Sequence, residues 1–289
     1  MTLSPDRGAR FKAGRHLLKA RFWATFALAG IVAMVFAAPA LAQYTNEMKF
    51  CGEEVPLKRA DVHEGVDQEL LLLSEAKARV WTTLRRSERY VPIIEKALRD
   101  QKVPVDFKYL PMALANLDPE FRSGGSRGMW RLTEREAAAM GLTVNGAVDE
   151  RLDPTASSAA AAAKIASLGQ SLGGWTLALA AYLDPSSLAS AMAEAGQNTD
   201  YFAMFAPESL DKSVNQVLAG KVLYSAPEAF GYRLTQPWPT LANGRRRMDS
   251  PQSLRELAAS LKVDYRTFRD MNPHILGDVA PAGSYVNTP

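Results

Sequence analysis

The feature that most restricts this chain is the spacing of its apolar residues, which keeps a helical period from Val62 to Tyr232 with almost no strand-type alternation. Val66, Leu70 and Leu73 fall at i, i+4 and i+7, and Val80, Trp81 and Leu84 continue an apolar face. Ile94 and Leu98 lie four apart behind Pro92, which predicts Pro92 in the first turn of its helix. Val103-Pro104-Val105-Asp106 breaks that helix. Phe107, Leu110, Leu114 and Leu117 then form another buried face, closed by Asp118-Pro119. A Gly-rich loop follows at residues 121–128. Thr133, with Glu136 three residues on, carries a capping box. Asp153-Pro154 opens the next helix, whose most helix-prone stretch is Ala159–Ala163. Gly173-Gly174 separates it from a short apolar helix over Trp175–Tyr182, and Leu210, Val214 and Leu218 mark the last one. The pattern predicts one all-α domain over 61–232, preceded by an irregular segment at 43–60.

The two ends read differently. Residues 233–247 have the composition of a linker, and the basic run Arg245–Arg247 reads as a solvated patch. Beyond it, Ser253–Leu261 and Tyr265–Met271 predict two short helices, followed by Asn272-Pro273 and a strand at Tyr285-Val286-Asn287, a small α+β module over 248–289. At the N-terminus six basic residues precede an uncharged run from Phe22 to Ala38, and Ala40-Leu41-Ala42 has the small-x-small form of a cleavage site. This is the pattern of a secretory signal peptide cut after Ala42. It predicts a periplasmic body; the alternative is an inner-membrane anchor formed by residues 22–38.

Charge and reactive residues narrow the function. Of 34 Lys/Arg and 31 Asp/Glu, residues 1–42 hold six and one, so the formal +3 belongs to the leader and the remaining body carries −2. That body offers no electrostatic case for nucleic acid. His16, His63 and His274 are scattered and Cys51 is alone, so no metal-ligand spacing, internal disulfide or cofactor motif is present. Cys51 follows Glu47-Met48-Lys49-Phe50 rather than a lipoprotein signal and reads as a buried small hydrophobe.

Several segments together resemble one family. Phe50-Cys51-Gly52-Glu53-Glu54-Val55-Pro56-Leu57, Asp67-Gln68-Glu69-Leu70-Leu71-Leu72, Arg89-Tyr90-Val91-Pro92-Ile93-Ile94-Glu95 with Leu110-Pro111, Gly125-Ser126-Arg127-Gly128-Met129-Trp130, Val148-Asp149-Glu150-Arg151-Leu152-Asp153-Pro154, Ala178-Leu179-Ala180-Ala181-Tyr182 and Pro227-Glu228-Ala229-Phe230-Gly231-Tyr232 stand in the order and spacing of the membrane-bound lytic murein transglycosylase D-like family. The resemblance runs from about residue 50 to the C-terminus. It implies a lysozyme-like helical domain. The C-terminal segment, through Leu254-Arg255-Glu256-Leu257-Ala258, Phe268, Asn272-Pro273 and Pro281-Ala282-Gly283-Ser284-Tyr285, resembles a degenerate LysM-type module, a fold that binds N-acetylglucosamine-containing glycans. Asn272, Pro273 and Tyr285 are its candidate binding residues; the alternative is that the module only packs on the main domain.

The resemblance also implies a chemistry. Such enzymes cleave the β-1,4 bond between N-acetylmuramic acid and N-acetylglucosamine to a 1,6-anhydro sugar. One glutamic acid protonates the leaving oxygen and then takes the proton of the C6 hydroxyl, unlike the two-carboxylate hydrolases. Here the family's Glu-Ser position reads Leu114-Ala115, its Gly-Leu-Trp-Gln reads Gly128-Met129-Trp130-Arg131, and its Ala-Tyr-Asn reads Ala181-Tyr182-Leu183, followed by Asp184-Pro185. Leucine has no proton to give. The reading is therefore an exported protein of this fold with no catalytic residue, binding peptidoglycan glycan strands or scaffolding other cell-wall enzymes. Met129, Trp130, Arg131 and Tyr182 are the candidates for its glycan groove, Trp130 and Tyr182 through ring stacking or else as plain core. The alternative is an active transglycosylase whose acid has moved to Asp118, Glu120 or Glu150.

Overall fold

In the computed structural model, which describes residues 47–196, 198–242 and 244–289, the chain folds into a helical unit and a small α+β unit seated on it. The leader, its cleavage after Ala42 and the alternative anchor at 22–38 lie outside the described residues. Among the described residues no helix is long and apolar enough to cross a membrane.

The segment expected to be irregular instead holds an antiparallel hairpin of β1 (Met48–Phe50) and β2 (Glu53–Val55). Its two-residue loop, Cys51-Gly52, has φ of 55° and 87°. Positive φ at both loop positions matches the twist of short hairpins. Met48, Phe50 and Val55 point into the core, and Cys51 donates its amide to Asp106 Oδ2 at 2.8 Å. Burial, reinforced by the Asp106 charge, pushes the Cys51 thiol well above its ordinary range. Three-residue strands are too short to show an alternation in sequence.

Two long helices follow, α1 (Ala60–Glu75) and α2 (Lys77–Asp100). Pro92 lies inside α2, not at its start. Both Pro92 and Glu88, whose carbonyl loses its helical partner, are exposed, so the missing hydrogen bond falls on the solvent side of the helix. A 3₁₀ turn at Val105–Lys108 leads into the short α3 (Tyr109–Ala115). Helix α3 stops before the Asp118-Pro119 breaker because Asn116 and Leu117 are both left-handed, with φ of 53° and 54°. Leu117 nevertheless stays on the buried face with Phe107 and Leu110. Burial offsets the roughly 1–2 kcal/mol cost of that backbone conformation.

The Gly-rich loop forms a tight hairpin of β3 (Arg122–Ser123) and β4 (Ser126–Arg127). Gly128 closes it at φ 72°, and a Cβ there would lie 1.8 Å from the Arg151 carbonyl oxygen, so only glycine fits. Helix α4 (Glu134–Ala139) carries the expected capping box between Thr133 and Glu136. Helix α5 (Pro154–Leu172) is capped by Asp153, and α6 (Trp175–Leu183), α7 (Pro185–Ala195) and α8 (Glu208–Ser225) complete the unit. Helix α8 is the central post: α1 and α3 pack against it, while α2 packs on α5 and α5 on α6. Val214, Val217, Leu218 and Leu223 of α8 are fully buried.

The C-terminal unit runs β5 (Gly244–Arg247), β6 (Gln252–Ser253), α9 (Leu254–Ser260), α10 (Tyr265–Met271), β7 (Val279–Ala280) and β8 (Tyr285–Thr288). Strand β5 pairs with β8 and β6 with β7, both antiparallel. The basic run Arg245–Arg247 is thus a strand of this unit rather than the tail of a linker. The stretch before it is also tied down. Trp238 donates its amide to the Arg85 carbonyl at 3.1 Å, and Arg89 Nε donates to the Pro239 carbonyl at 2.9 Å. The two units join through main chain: Asp149 N to His274 O and Leu276 N to Ala147 O, each 2.8 Å, with Val148 buried in the small unit's core.

Candidate functional site

The C-terminal end of α3 is built by arginines from α2. Arg79 donates to the Asn116 side chain at 2.6 Å and to the Ala113 carbonyl. Arg86 donates to the Asn116 carbonyl at 3.1 Å and pairs with Asp118 at 3.1 Å. These bonds satisfy carbonyls that a helix end leaves open, and the cations suit its negative dipole end. Leu114, in the last turn, is half-buried and packs against the main core. It presents only methyl and methylene groups to whatever lies beside it.

The residues expected to line a groove separate by burial. Met129 and Trp130 are 1% exposed, and the indole of Trp130 donates to Ser158 Oγ at 3.0 Å. Tyr182 is also buried; its hydroxyl donates to the Trp130 carbonyl at 3.0 Å, and the two rings meet edge to face with centroids 6.3 Å apart. Burial, with Glu136 nearby, pushes the Tyr182 hydroxyl far above its ordinary range. Trp130 and Tyr182 are therefore core packing, since no ring face is open to stack on a sugar. Glycine-enforced closeness of the loop to Arg151 draws residues 128–130 inward. Arg131 alone of the four is exposed, held at φ 52° with its guanidinium 5.4 Å from the Phe121 ring centroid.

The polar groups around this region are already engaged. Asp118 is paired with Arg86, and Glu120, past Pro119, is exposed and donates its amide to Asp118 Oδ1 at 3.0 Å. Glu150 accepts the Thr143 amide at 2.7 Å. The ion pair of that segment belongs to its neighbours: Asp149, 1% exposed, takes two 2.8 Å bonds from Arg151 and one of 3.1 Å from Arg127. Burial raises the Asp149 carboxyl, but the Arg151 hydrogen bonds and charge outweigh it and hold it below its ordinary range. Asp184 caps α7 by accepting the Ser186 and Ser187 amides, and those bonds lower its carboxyl. Among the described residues no group of three His, Cys, Asp or Glu is placed to hold a metal ion.

Residues 93–194 match the transglycosylase SLT domain. The SLT segment starts within α2 and ends within α7, so it contains Leu114, the Gly-rich loop, Arg131 and Tyr182. Over those residues it supports a mainly α, lysozyme-like fold of the transglycosylase type, and SLT domains are tied to the peptidoglycan of the cell envelope. Helix α8 and the C-terminal unit fall outside it. No curated protein matches the chain.

In the C-terminal unit Asn272 is fully buried and works internally. Its amide donates to the Phe268 and Asn287 carbonyls, and its carbonyl accepts the Asn287 amide. Pro273 lines a 250 Å³ cleft between the two units, together with Arg89, Pro119 and Arg245. Tyr285 is partly open, with the Arg245 guanidinium 4.3 Å from its ring centroid. Asn272 and Tyr285 are thus not brought to one surface.

Sequence reasoning missed Glu53. From the β-hairpin it accepts the Thr176 amide at 2.8 Å, the Thr176 hydroxyl at 2.7 Å and the Trp175 amide, capping α6 across the fold. A signal existed. Gly173-Gly174 leaves α6 with no side chain of its own at the N-cap, so its open amides need an acceptor from elsewhere.

Proposed function

We propose that this protein binds the glycan strands of peptidoglycan and leaves them uncleaved. The observation that carries the reading is Leu114. Where the lytic murein transglycosylase D-like family holds its acid, at the end of α3, this chain has a half-buried hydrocarbon. General acid catalysis contributes about 10²–10⁴-fold, and Asp118, Glu120 and Glu150 are paired, turned to solvent or bonded to backbone. The family's supporting amides are Arg131 and Leu183, which changes the groove from one that stabilises a transition state to one that offers a cation and an apolar wall. The C-terminal unit, read as LysM-like, extends glycan contact through Tyr285 and Pro273. The body works outside the cytoplasm, after export by the leader. Scaffolding of other cell-wall enzymes fits the same reading, with the glycan strand as the shared platform.

Co-sedimentation with insoluble glycan strands stripped of their peptides tests binding. Retention of the exported chain, weakened in Arg131→Ala, supports the reading. Full recovery in the supernatant at low salt contradicts it.

A further inference from the structure

A cavity of 340 Å³ opens on the far side of α3 from Leu114, where the start of α3 meets α2 and the C-terminal end of α8. Tyr109 and Met112 of α3 line it, and Met112 lies two residues, about 200° of helical turn, from Leu114. The cavity is therefore separate from the groove at the end of α3. Its volume is at the lower end of ligand sites, which start at about 300 Å³, and suits one small ring.

Its walls carry polar groups that the fold leaves unused. Tyr109 is only 6% exposed, yet its hydroxyl makes no hydrogen bond to any described residue. Nor is that hydroxyl sealed in. Among the described residues the buried unpaired side-chain atoms are Arg85 Nε, the Tyr224 hydroxyl and His274 Nδ1, so the Tyr109 hydroxyl keeps an opening, on the cavity that Tyr109 lines. Burial, reinforced by the Asp106 and Glu95 charges, pushes it up to about 12, which keeps its proton available to donate. Tyr224, 8% exposed, lines the same cavity with its hydroxyl buried and unpaired; Thr83, its polar neighbour, gives its own proton to the Arg79 carbonyl at 2.9 Å. Helix α2 supplies acceptors. Glu88 and Pro92 both stand in the wall, so the Glu88 carbonyl, to which Pro92 gives no amide, borders the cavity. The Glu88 carboxylate has no cation partner among the described residues, while Lys108, also in the wall, is held by Glu95 at 2.8 Å. A donor and acceptors thus stand together unmet, and a mostly buried polar group normally has a partner. The free carboxylate disfavours an anion and the Lys108 ammonium a bare cation. A neutral ring with adjacent hydroxyls satisfies the set: its hydroxyls donate to Glu88, an acceptor oxygen takes the Tyr109 proton, and its apolar face lies on Val91 and Met112.

We infer that this cavity is a second carbohydrate site, taking one neutral pyranose ring held by Glu88 and Tyr109. Naming that ring as the N-acetylglucosamine of a glycan strand rests on the glycan reading above; the neutral-ring chemistry does not.

Nuclear magnetic resonance of the purified protein with isotope-labelled tyrosine rings, titrated with triacetylchitotriose, reads this cavity directly. The Tyr109 and Tyr224 signals, each assigned by its loss in the Phe variant, shift saturably. Followed at Tyr109, Glu88→Ala weakens binding about tenfold or more; followed at Tyr224, Tyr109→Phe weakens it a few-fold. Pro92→Ala returns a helical amide to the Glu88 carbonyl, so it weakens binding a few-fold while keeping or raising the melting temperature. Trigalacturonic acid, an anionic trisaccharide, shifts neither signal. If Pro92→Ala does not fold, the exposed Glu88→Ala and the loss of a single oxygen in Tyr109→Phe still decide the case. A Tyr109 signal that does not move, equal shifts with the anionic trisaccharide, or wild-type affinity in Glu88→Ala overturns the inference. Peptide-free strands that sediment with the protein while the Tyr109 signal stays still sink the cavity and leave the glycan reading standing. Saturable shifts without sedimentation of strands support the cavity and sink the strand reading alone.

Discussion

Leu114 and its neighbours show how far a single side chain reaches. On the proposed reading, Leu114→Glu puts a proton donor at the end of α3, yet Arg131 and Leu183 stand where that reading places the family's supporting amides, and the Tyr182 hydroxyl is committed to the Trp130 carbonyl. The variant is expected to release 1,6-anhydro muropeptides less than about tenfold above a mock digest, a small part of what general acid catalysis supplies. Robust turnover by Leu114→Glu alone contradicts this. Asp149 tests the pairing that holds the Gly-rich loop. Its carboxyl is held below the ordinary range, so the pair stabilises the fold above the unfolded carboxylate value of about 3.9 and loses that contribution as pH falls through the lower folded value. Asp149→Asn leaves the buried Arg151 uncompensated and is expected to cost about 3 kcal/mol at pH 7. Thermal melts from pH 7 to pH 3 check it: the gap between wild type and variant narrows toward acid, and a constant gap excludes the assignment.

Elements were legible where their signal is local and periodic. The apolar spacing marks α1, α2 and α8, Asp153-Pro154 and the alanine run mark α5, and the capping box marks α4, because a 3.6-residue period, a helix start and a cap are written within a turn or two of sequence. The failures have different causes. The strands of the β1–β2 hairpin are three residues each, too short to show a period; Pro92 is tolerated inside α2 because it and Glu88 are exposed; and β5 depends on a partner far along the chain, β8. The dependence of α6 on Glu53 is of the same kind. Glu53→Ala removes the acceptor for its first amides and is expected to cost about 1–2 kcal/mol, as loss of a strong N-cap does. Denaturant unfolding at neutral pH measures it, and a change within about 0.5 kcal/mol, typical of a surface substitution, means the cap is not needed.

At the scale of the whole molecule the C-terminal unit is an extension of the helical body, not a bead on a string. Val148 completes its core, and backbone hydrogen bonds cross at His274 and Leu276. The polar losses proposed for the candidate site rest on single-letter differences within motifs, which sequence alone displays. The burial of Met129, Trp130 and Tyr182 was not, because an aromatic residue on a loop or helix reads the same whether its ring faces core or solvent. The claim on which the rest depends is that this body holds a glycan strand without breaking it. Mass spectrometry of purified sacculi incubated with the purified protein tests it most directly. The expected result is no 1,6-anhydro muropeptide above a mock control; accumulation of that product with time and protein concentration would contradict the account.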